Sequence, residues 1–210
     1  MIGIITRTSN RPKYFKRCST SLVGQPGVGT HYILYDEPKD MVYLQNKNLV
    51  THLVNKKRYK NTYKRPAPKT ARPPMLSLHN LYFNEIYNKV TEDWVYHLDD
   101  DNYLVPKAFE QIYPHLSPNV DLIICKIKHF TGLLPQQRDW NQKRIRVCGI
   151  DTGCFLVRTS LIKKIQWDGW KCGDFRVIQQ CAKLSRKTLW VDKVVSVMEH
   201  QNLAKLNDMR

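Results

Sequence analysis

The 210-residue sequence predicts an α/β fold, with helices packed on both sides of a central sheet that is mostly parallel. Three observations predict it. Apolar runs of strand length recur at residues 2–6, 31–35 and 94–98, and because alternate positions are all apolar they suit strands covered on both faces. Helical spacing separates them, so the chain opens as a right-handed βαβ unit. Polar groups stand directly after the strands: Thr6, Arg7 and Thr8 after the first, Asp36 after the second, and Asp99, Asp100 and Asp101 after the run at 94–98. In open sheets of this class, ligands bind beyond the carboxyl ends of the strands.

The elements follow in order. Pro12 opens a helix on which Phe15, Cys18 and Leu22 share a face, and Gly24 with the Pro26-Gly27 turn ends it. The second strand, 31–35, stops at Asp36-Glu37-Pro38. Residues 55–72 then carry eight basic residues and no acidic one, with Pro66 and Pro68 discouraging regular structure in the second half. A helix is predicted over 75–89, where Leu78, Leu81, Tyr82, Phe83 and Ile86 form a broad apolar face and Glu85 and Lys89 are an i,i+4 pair. After the strand at 94–98, the second half reads as a helix at 107–113, a strand at 121–127, a long polar connection at 128–149 and a strand at 155–157. A helix at 174–185 and strands near 189–191 and 194–198 complete it.

Composition narrows the function classes. At 42% hydrophobic residues the chain is globular rather than disordered, and no segment approaches the roughly 18–20 uninterrupted apolar residues of a membrane span. The initial apolar run is too short for a signal peptide, so a cytoplasmic location is expected. Six cysteines without CxxC or zinc-type spacing are expected as reduced thiols in the core. The 34 basic against 18 acidic residues leave +16, which calls for an anionic partner: a nucleic acid, a lipid headgroup or a phosphorylated small molecule. Neither GxGxxG nor GxxxxGK[ST] follows a strand, which removes the main support for dinucleotide-binding and P-loop chemistry.

The triple aspartate is the most informative feature. Three adjacent carboxylates repel one another, and outside plain solvent their usual remedy is a hard divalent cation. Asp99 and Asp101 point to the same side of an extended backbone and can share Mg²⁺ or Mn²⁺, or divide a metal and a hydroxylated ligand between them. A solvated acidic turn is the alternative.

Residues 2–12, Ile-Gly-Ile-Ile-Thr-Arg-Thr-Ser-Asn-Arg-Pro, resemble the opening strand and loop of GT-A fold glycosyltransferases, especially the large family 2 group. His97-Leu98-Asp99-Asp100-Asp101-Asn102 looks like their DxD motif. The stretch from Trp167 to Phe175 resembles their later acidic motif, which heads a helix, and His200-Gln201-Asn202 is similar to their His-x-x-Asn ending, one residue shorter. The likeness spans nearly the whole chain in the expected order. Small size, no membrane anchor and a basic character also resemble glycosyltransferases encoded by large DNA viruses.

The resemblance implies one GT-A domain over 1–210, with 1–103 as the nucleotide-binding half and 104–210 as the acceptor-binding half. It implies a nucleoside diphosphate sugar donor, most simply a UDP-sugar, a glycan or glycoprotein acceptor, and Mn²⁺ or Mg²⁺. Thr6, Arg7, Thr8 and Asp36 would hold base and ribose, Arg72 would approach the base or diphosphate, and Asp99 and Asp100 would complete the nucleotide site. Asp101, with Asp99 and His200, would bind the metal. Asp174 would be the general base, although Gly173 replaces the acidic residue that commonly precedes it. Asp151, Thr152 and Trp170 would touch sugar or acceptor, and Trp167 and Phe175 either stack on sugar faces or pack the core. Two other readings stay open: a nucleic-acid-binding arm at 56–72 with Tyr59 and Tyr63 interleaved, and a metal-dependent nuclease. The carboxylates at strand ends weigh against nucleic acid as the partner.

Overall fold

A computed structural model describes residues 1–45, 49–71 and 74–198. Strand β1 (Ile2–Thr8) is followed by helix α1 (Pro12–Thr20) and strand β2 (Val28–Tyr35), which pairs parallel with β1. This is the expected βαβ unit. Strand β3 (Leu49–Leu53) joins the outer side of β2, and after α2 (Lys56–Thr62) and α3 (Phe83–Ile86) comes β4 (Trp94–His97), on the other side of β1. These four strands are all parallel. Ile2, Ile4 and Ile5 are fully buried, as covering on both faces requires.

The second half adds β5 (Asn102–Leu104), α4 (Ala108–Ile112), β6 (Leu122–His129), β7 (Gly132–Leu134), α5 (Gln137–Asn141), β8 (Phe155–Arg158), α6 (Thr159–Ile162), α7 (Gly173–Leu184) and β9 (Thr188–Met198). One sheet runs β3-β2-β1-β4-β8-β6-β9-β5, with β7 paired to β6 off this path. Antiparallel β8 sits between β4 and β6, whereas β6 and β9 pair parallel. The sheet is therefore parallel where it begins and mixed where it continues.

Four local expectations change. The helix foreseen at 75–89 begins only at Leu78, as a 3₁₀ turn (Leu78–Tyr82), α3 and a second 3₁₀ turn (Tyr87–Lys89). Its first residues are drawn into extended pairing instead: Ser77 N–H donates to the Gly169 carbonyl at 2.7 Å and Lys171 N–H to the Met75 carbonyl at 2.9 Å. The polar connection at 128–149 contains β7 and α5. The two strands foreseen near 189–191 and 194–198 are one strand, β9, whose register against β6 shifts between Trp190 and Val194. Strand β3 carried no sequence expectation.

One apolar cluster unites both halves. Trp167 belongs to it, with its ring 4.7 Å from Phe83 and 5.7 Å from His97 and its Nε1–H donated to the Tyr87 hydroxyl. Phe175 is also buried. These two aromatics pack the core, so sugar stacking is not their work. Among the described residues no helix is long and apolar enough to cross a membrane.

Candidate functional site

The parallel register of β1, β2 and β4 brings their carboxyl ends to one edge, where a cleft of about 730 Å³ opens between that edge and α2. Arg7, Thr8, Asp36, Asp99, Asp100 and Asp101 all line it. The strand-end rule thus holds for six of the foreseen residues. Thr6 is the exception. It is fully buried, donating its hydroxyl to the Leu98 carbonyl at 2.7 Å and lying 2.8 Å from His31 Nε2, because the inward-facing position of a central strand points into the core. Arg72 and His200 lie outside the described residues.

Each member of the triple aspartate has its own surroundings. Arg7 forks onto Asp99, with Nη2 2.7 Å from Oδ2 and Nε 2.9 Å from Oδ1, while Nη1 donates to Asn80 Oδ1 at 3.1 Å. The guanidinium also lies 4.4 Å from the Phe83 ring centre, a cation–π contact that fixes its plane. Burial works to raise the Asp99 pKa, but the facing guanidinium holds it below the ordinary carboxylate value. Arg11 bridges the other two, with Nη1 2.6 Å from Asp100 Oδ1 and 3.3 Å from Asp101 Oδ2. Asp100 is nevertheless pushed up to about 7, by burial first and by Asp101 beside it. Arg17 anchors the turn by donating to the Asp101 carbonyl at 3.1 Å.

The donor chemistry of this cluster fits a hard divalent cation in part. Three adjacent carboxylates face two guanidiniums, one forked onto Asp99 and one bridging Asp100 and Asp101, and the excess negative charge is felt at Asp100. Among the described residues, however, no three metal-ligating side chains converge. A cation here would take Asp101 and Asp99 as its protein oxygens and complete its shell from the bound ligand and water.

Asp36 closes the opposite wall. Its Oδ2 accepts from the Tyr82 hydroxyl at 2.8 Å and lies 3.3 Å from Lys56 Nζ. Burial would raise its pKa, yet hydrogen bonding and the Lys56 charge keep it below the ordinary value, so the carboxylate stays ionised. Lys60 also reaches the cleft.

The second-half residues approach from β8 and α7. Asp151 precedes a 3₁₀ turn (Thr152–Cys154) and caps it, accepting from Gly153 N–H at 3.0 Å. Thr152 joins the halves, its hydroxyl 3.3 Å from Asp99 Oδ2 and 3.2 Å from Asp151 Oδ1. Asp174 stands in the first turn of α7, with Oδ1 accepting from Phe175 N–H at 2.9 Å. Among the described residues no ion pair holds it. Burial and mutual repulsion raise the pKa values of Asp151 and Asp174, which interact electrostatically with each other and with Asp99. Asp168, the other acid of this segment, is bound by the Arg176 fork at 2.5 Å and serves to hold the loop. Trp170 is half-buried, donating Nε1–H to the Arg65 carbonyl at 3.2 Å.

The glycine before Asp174 has a physical reason. A Cβ at Gly173 would lie 2.7 Å from Asn80 Nδ2. Asn80 holds Arg7 with one end of its amide and donates to the Trp170 carbonyl at 3.1 Å with the other. The space a larger residue would need is filled by the amide that orients Arg7.

Among solved structures, TarS 1-349 of S. aureus superimposes with a TM-score of 0.64 at 15% identity, over 93% of this chain and 59% of that one. The same protein in complex with UDP-GlcNAc gives a TM-score of 0.66 at 14% identity, over 93% and 57%. A mannosyltransferase of Pyrobaculum calidifontis, PcManGT, in complex with GDP-Man and Mn²⁺, gives 0.61 at 13%, over 93% and 56%. The chain shares the fold of these proteins, an α/β domain built on a mostly parallel sheet. It spans somewhat over half the length of these chains. No protein-family model matches the sequence, and no curated protein matches it.

Sequence reasoning missed Arg11, Tyr82 and Lys56 as parts of the cleft and Asn80 as the support of Arg7. Arg11 stood in the quoted Asn-Arg-Pro motif, and Lys56 in the basic stretch. Asn80 and Tyr82 left no local signal, since one lay inside an expected helix and the other on its apolar face.

Proposed function

We propose that this chain transfers a sugar from a nucleoside diphosphate sugar, a UDP-sugar in the simplest case, to a hydroxyl acceptor on a glycan or glycoprotein, with the help of Mn²⁺ or Mg²⁺. One observation carries the reading: Thr152 joins an arginine-bound aspartate cluster at the edge of the parallel strands to Asp151, which interacts electrostatically with Asp174, the carboxyl in the first turn of α7. A fold shared with proteins solved in complex with UDP-GlcNAc and with GDP-Man and Mn²⁺ supports it.

In this proposal residues 1–103 hold the nucleotide and the later residues hold sugar and acceptor. Ionised Asp36 accepts the N3–H of the base, Thr8 and Asp99 take ribose hydroxyls, and Arg7 and Arg11 lie where the diphosphate arrives. A divalent cation on Asp101 and Asp99 would supply Lewis-acid neutralisation of the leaving diphosphate. Asp151, Thr152 and Trp170 border the sugar and acceptor. Asp174 takes the acceptor proton at Oδ2, since Oδ1 is already bonded to Phe175 N–H, and its raised pKa makes it a better base than an ordinary aspartate.

The tyrosines of the basic stretch argue against the nucleic-acid arm. Tyr59 is bonded to Glu85 and stacked on Tyr82 with ring centres 6.0 Å apart, and Tyr63 accepts from Gly169 N–H at 2.8 Å. Both rings fasten the stretch to the protein and are not offered to bases. The test is thermal denaturation with UDP and Mn²⁺ together: the melting temperature rises, and Asp101→Ala abolishes the rise. Absence of any nucleotide-dependent shift with either metal ends the proposal.

A further inference from the structure

The six cysteines divide sharply. Cys18, Cys125, Cys154 and Cys181 are buried, and burial raises their thiol pKa values, that of Cys181 to about 12, which keeps them protonated and inert. Cys148 is exposed and Cys172 half-buried, contrary to the expectation that the core houses all six. Their Sγ atoms lie 3.5 Å apart across 24 residues of chain.

Both loops are held in this arrangement by contacts of their own. Cys148 and Cys172 have φ of 58° and 60°, the left-handed region that non-glycine residues occupy only when the surroundings impose it. On one side, Gly149 N–H donates to the Arg146 carbonyl at 3.0 Å, and Arg146 Nε reaches buried Asp139 at 2.8 Å. On the other, the Arg176 guanidinium grips Asp168 and donates to the carbonyls of Trp170 and Lys171, each at 3.0 Å. The sulfurs therefore meet through two braced turns. A disulfide needs them to close by about 1.5 Å, within the reach of small side-chain rotations.

We propose that Cys148 and Cys172 are a redox-active pair that forms a reversible disulfide, tying the loop ahead of Asp151 to the N-terminus of α7. Cys172 stands at the N-cap position of α7 and reacts as its thiolate. That thiolate attacks a small-molecule disulfide such as oxidised glutathione, whose S–S bond breaks and releases one half as a thiolate. Cys148 then attacks Cys172 Sγ and expels the second half. The two cysteines lose two electrons and two protons, and the reagent becomes two thiols. Dithiothreitol reverses the exchange. Since the bond falls three residues before Asp151 and two before Asp174, it fixes the spacing of the two loops that carry them. Its formation does not depend on the role of either carboxylate.

The experiment equilibrates the whole chain with mixtures of reduced and oxidised glutathione, traps free thiols by alkylation and maps the peptides. Expected is a linked pair of peptides containing Cys148 and Cys172, lighter by two hydrogens, with the other four cysteines alkylated after unfolding. The melting temperature should rise by roughly 5–10 °C on oxidation, fall back with dithiothreitol, and stay unmoved in Cys148→Ser and in Cys172→Ser. Separate glutathione adducts without a cross-link, thiols that survive excess oxidised glutathione, or a link between other cysteines would each overturn the proposal. A cross-link that leaves the melting temperature unchanged overturns the bracing.

Discussion

Asp99, just beyond β4, and Asp174, in the first turn of α7, both lie within the electrostatic reach of Arg7, yet their carboxyl groups titrate in opposite directions. The difference is where the guanidinium spends its hydrogens. Nε and Nη2 go to Asp99 and Nη1 to Asn80, so Asp174, raised first by burial, is only partly relieved by the Phe175 N–H and the charges of Arg176 and Arg7, while Asp99 repels it. In the proposed transfer, two acids in one neighbourhood are thereby divided into an ionised binding group and a proton acceptor. That division of pKa values marks acid–base assignments in active sites generally.

The largest effect expected from breaking this comparison is at Asp174, the proposed proton acceptor. Asp174→Asn keeps the hydrogen bond to Phe175 N–H but cannot take a proton, and transfer should fall about 10²–10⁴-fold. The UDP-dependent thermal shift should persist, and unchanged turnover would remove Asp174 from catalysis.

A second variant acts on the arginine's anchor. Gly173→Ala pushes a methyl group into Asn80 and should destabilise the protein by about 1–3 kcal/mol in urea denaturation. Because Asn80 also orients Arg7, UDP binding should weaken with it. Full retention of both would show that the loop yields freely.

Asp100 tests the charge balance of the bridged cluster. Its carboxyl is pushed from 3.8 to about 7, so across that window the folded protein holds a proton that the unfolded chain has released. Its contribution to stability is therefore present below 3.8 and is lost as the pH rises to about 7. Asp99 and Asp36, held below the ordinary value, act at lower pH and in the opposite sense. Asp100→Asn should be more stable than the parent at neutral pH by on the order of 1–4 kcal/mol, with the gain vanishing in acid. Denaturation curves across the window check this, and parallel curves would refute it. The smallest effect is expected at the rim, where Lys60→Ala should raise the KM for the donor about two- to five-fold at low salt and less at high salt.

Much of the fold was legible in the residues. The double-faced apolar run at β1 could only be a central strand, and β2 and β4 share its pattern, so the edge carrying Arg7, Asp36 and Asp99 followed from the strand-end rule. The start of the helix near residue 75 was not legible, because the pairing of Leu76 with Trp170 depends on a segment more than ninety residues away. Thr6 was misplaced for a related reason. Position in a loop-like motif did not reveal that β1 extends through Thr8 and turns the Thr6 hydroxyl inward.

The residues by themselves determined which chemistry gathers at the sheet edge, since hydrophobic periodicity is a short-range property and strands announce where they end. Tertiary structure alone decided which acid is neutralised and which stays basic. Arg7 and Asp99 are 92 positions apart and Cys148 and Cys172 are 24, and no local pattern encodes a partner at that distance. Charge compensation and the thiol contact are settled when packing brings the side chains within a few ångströms, where electrostatic interactions take effect.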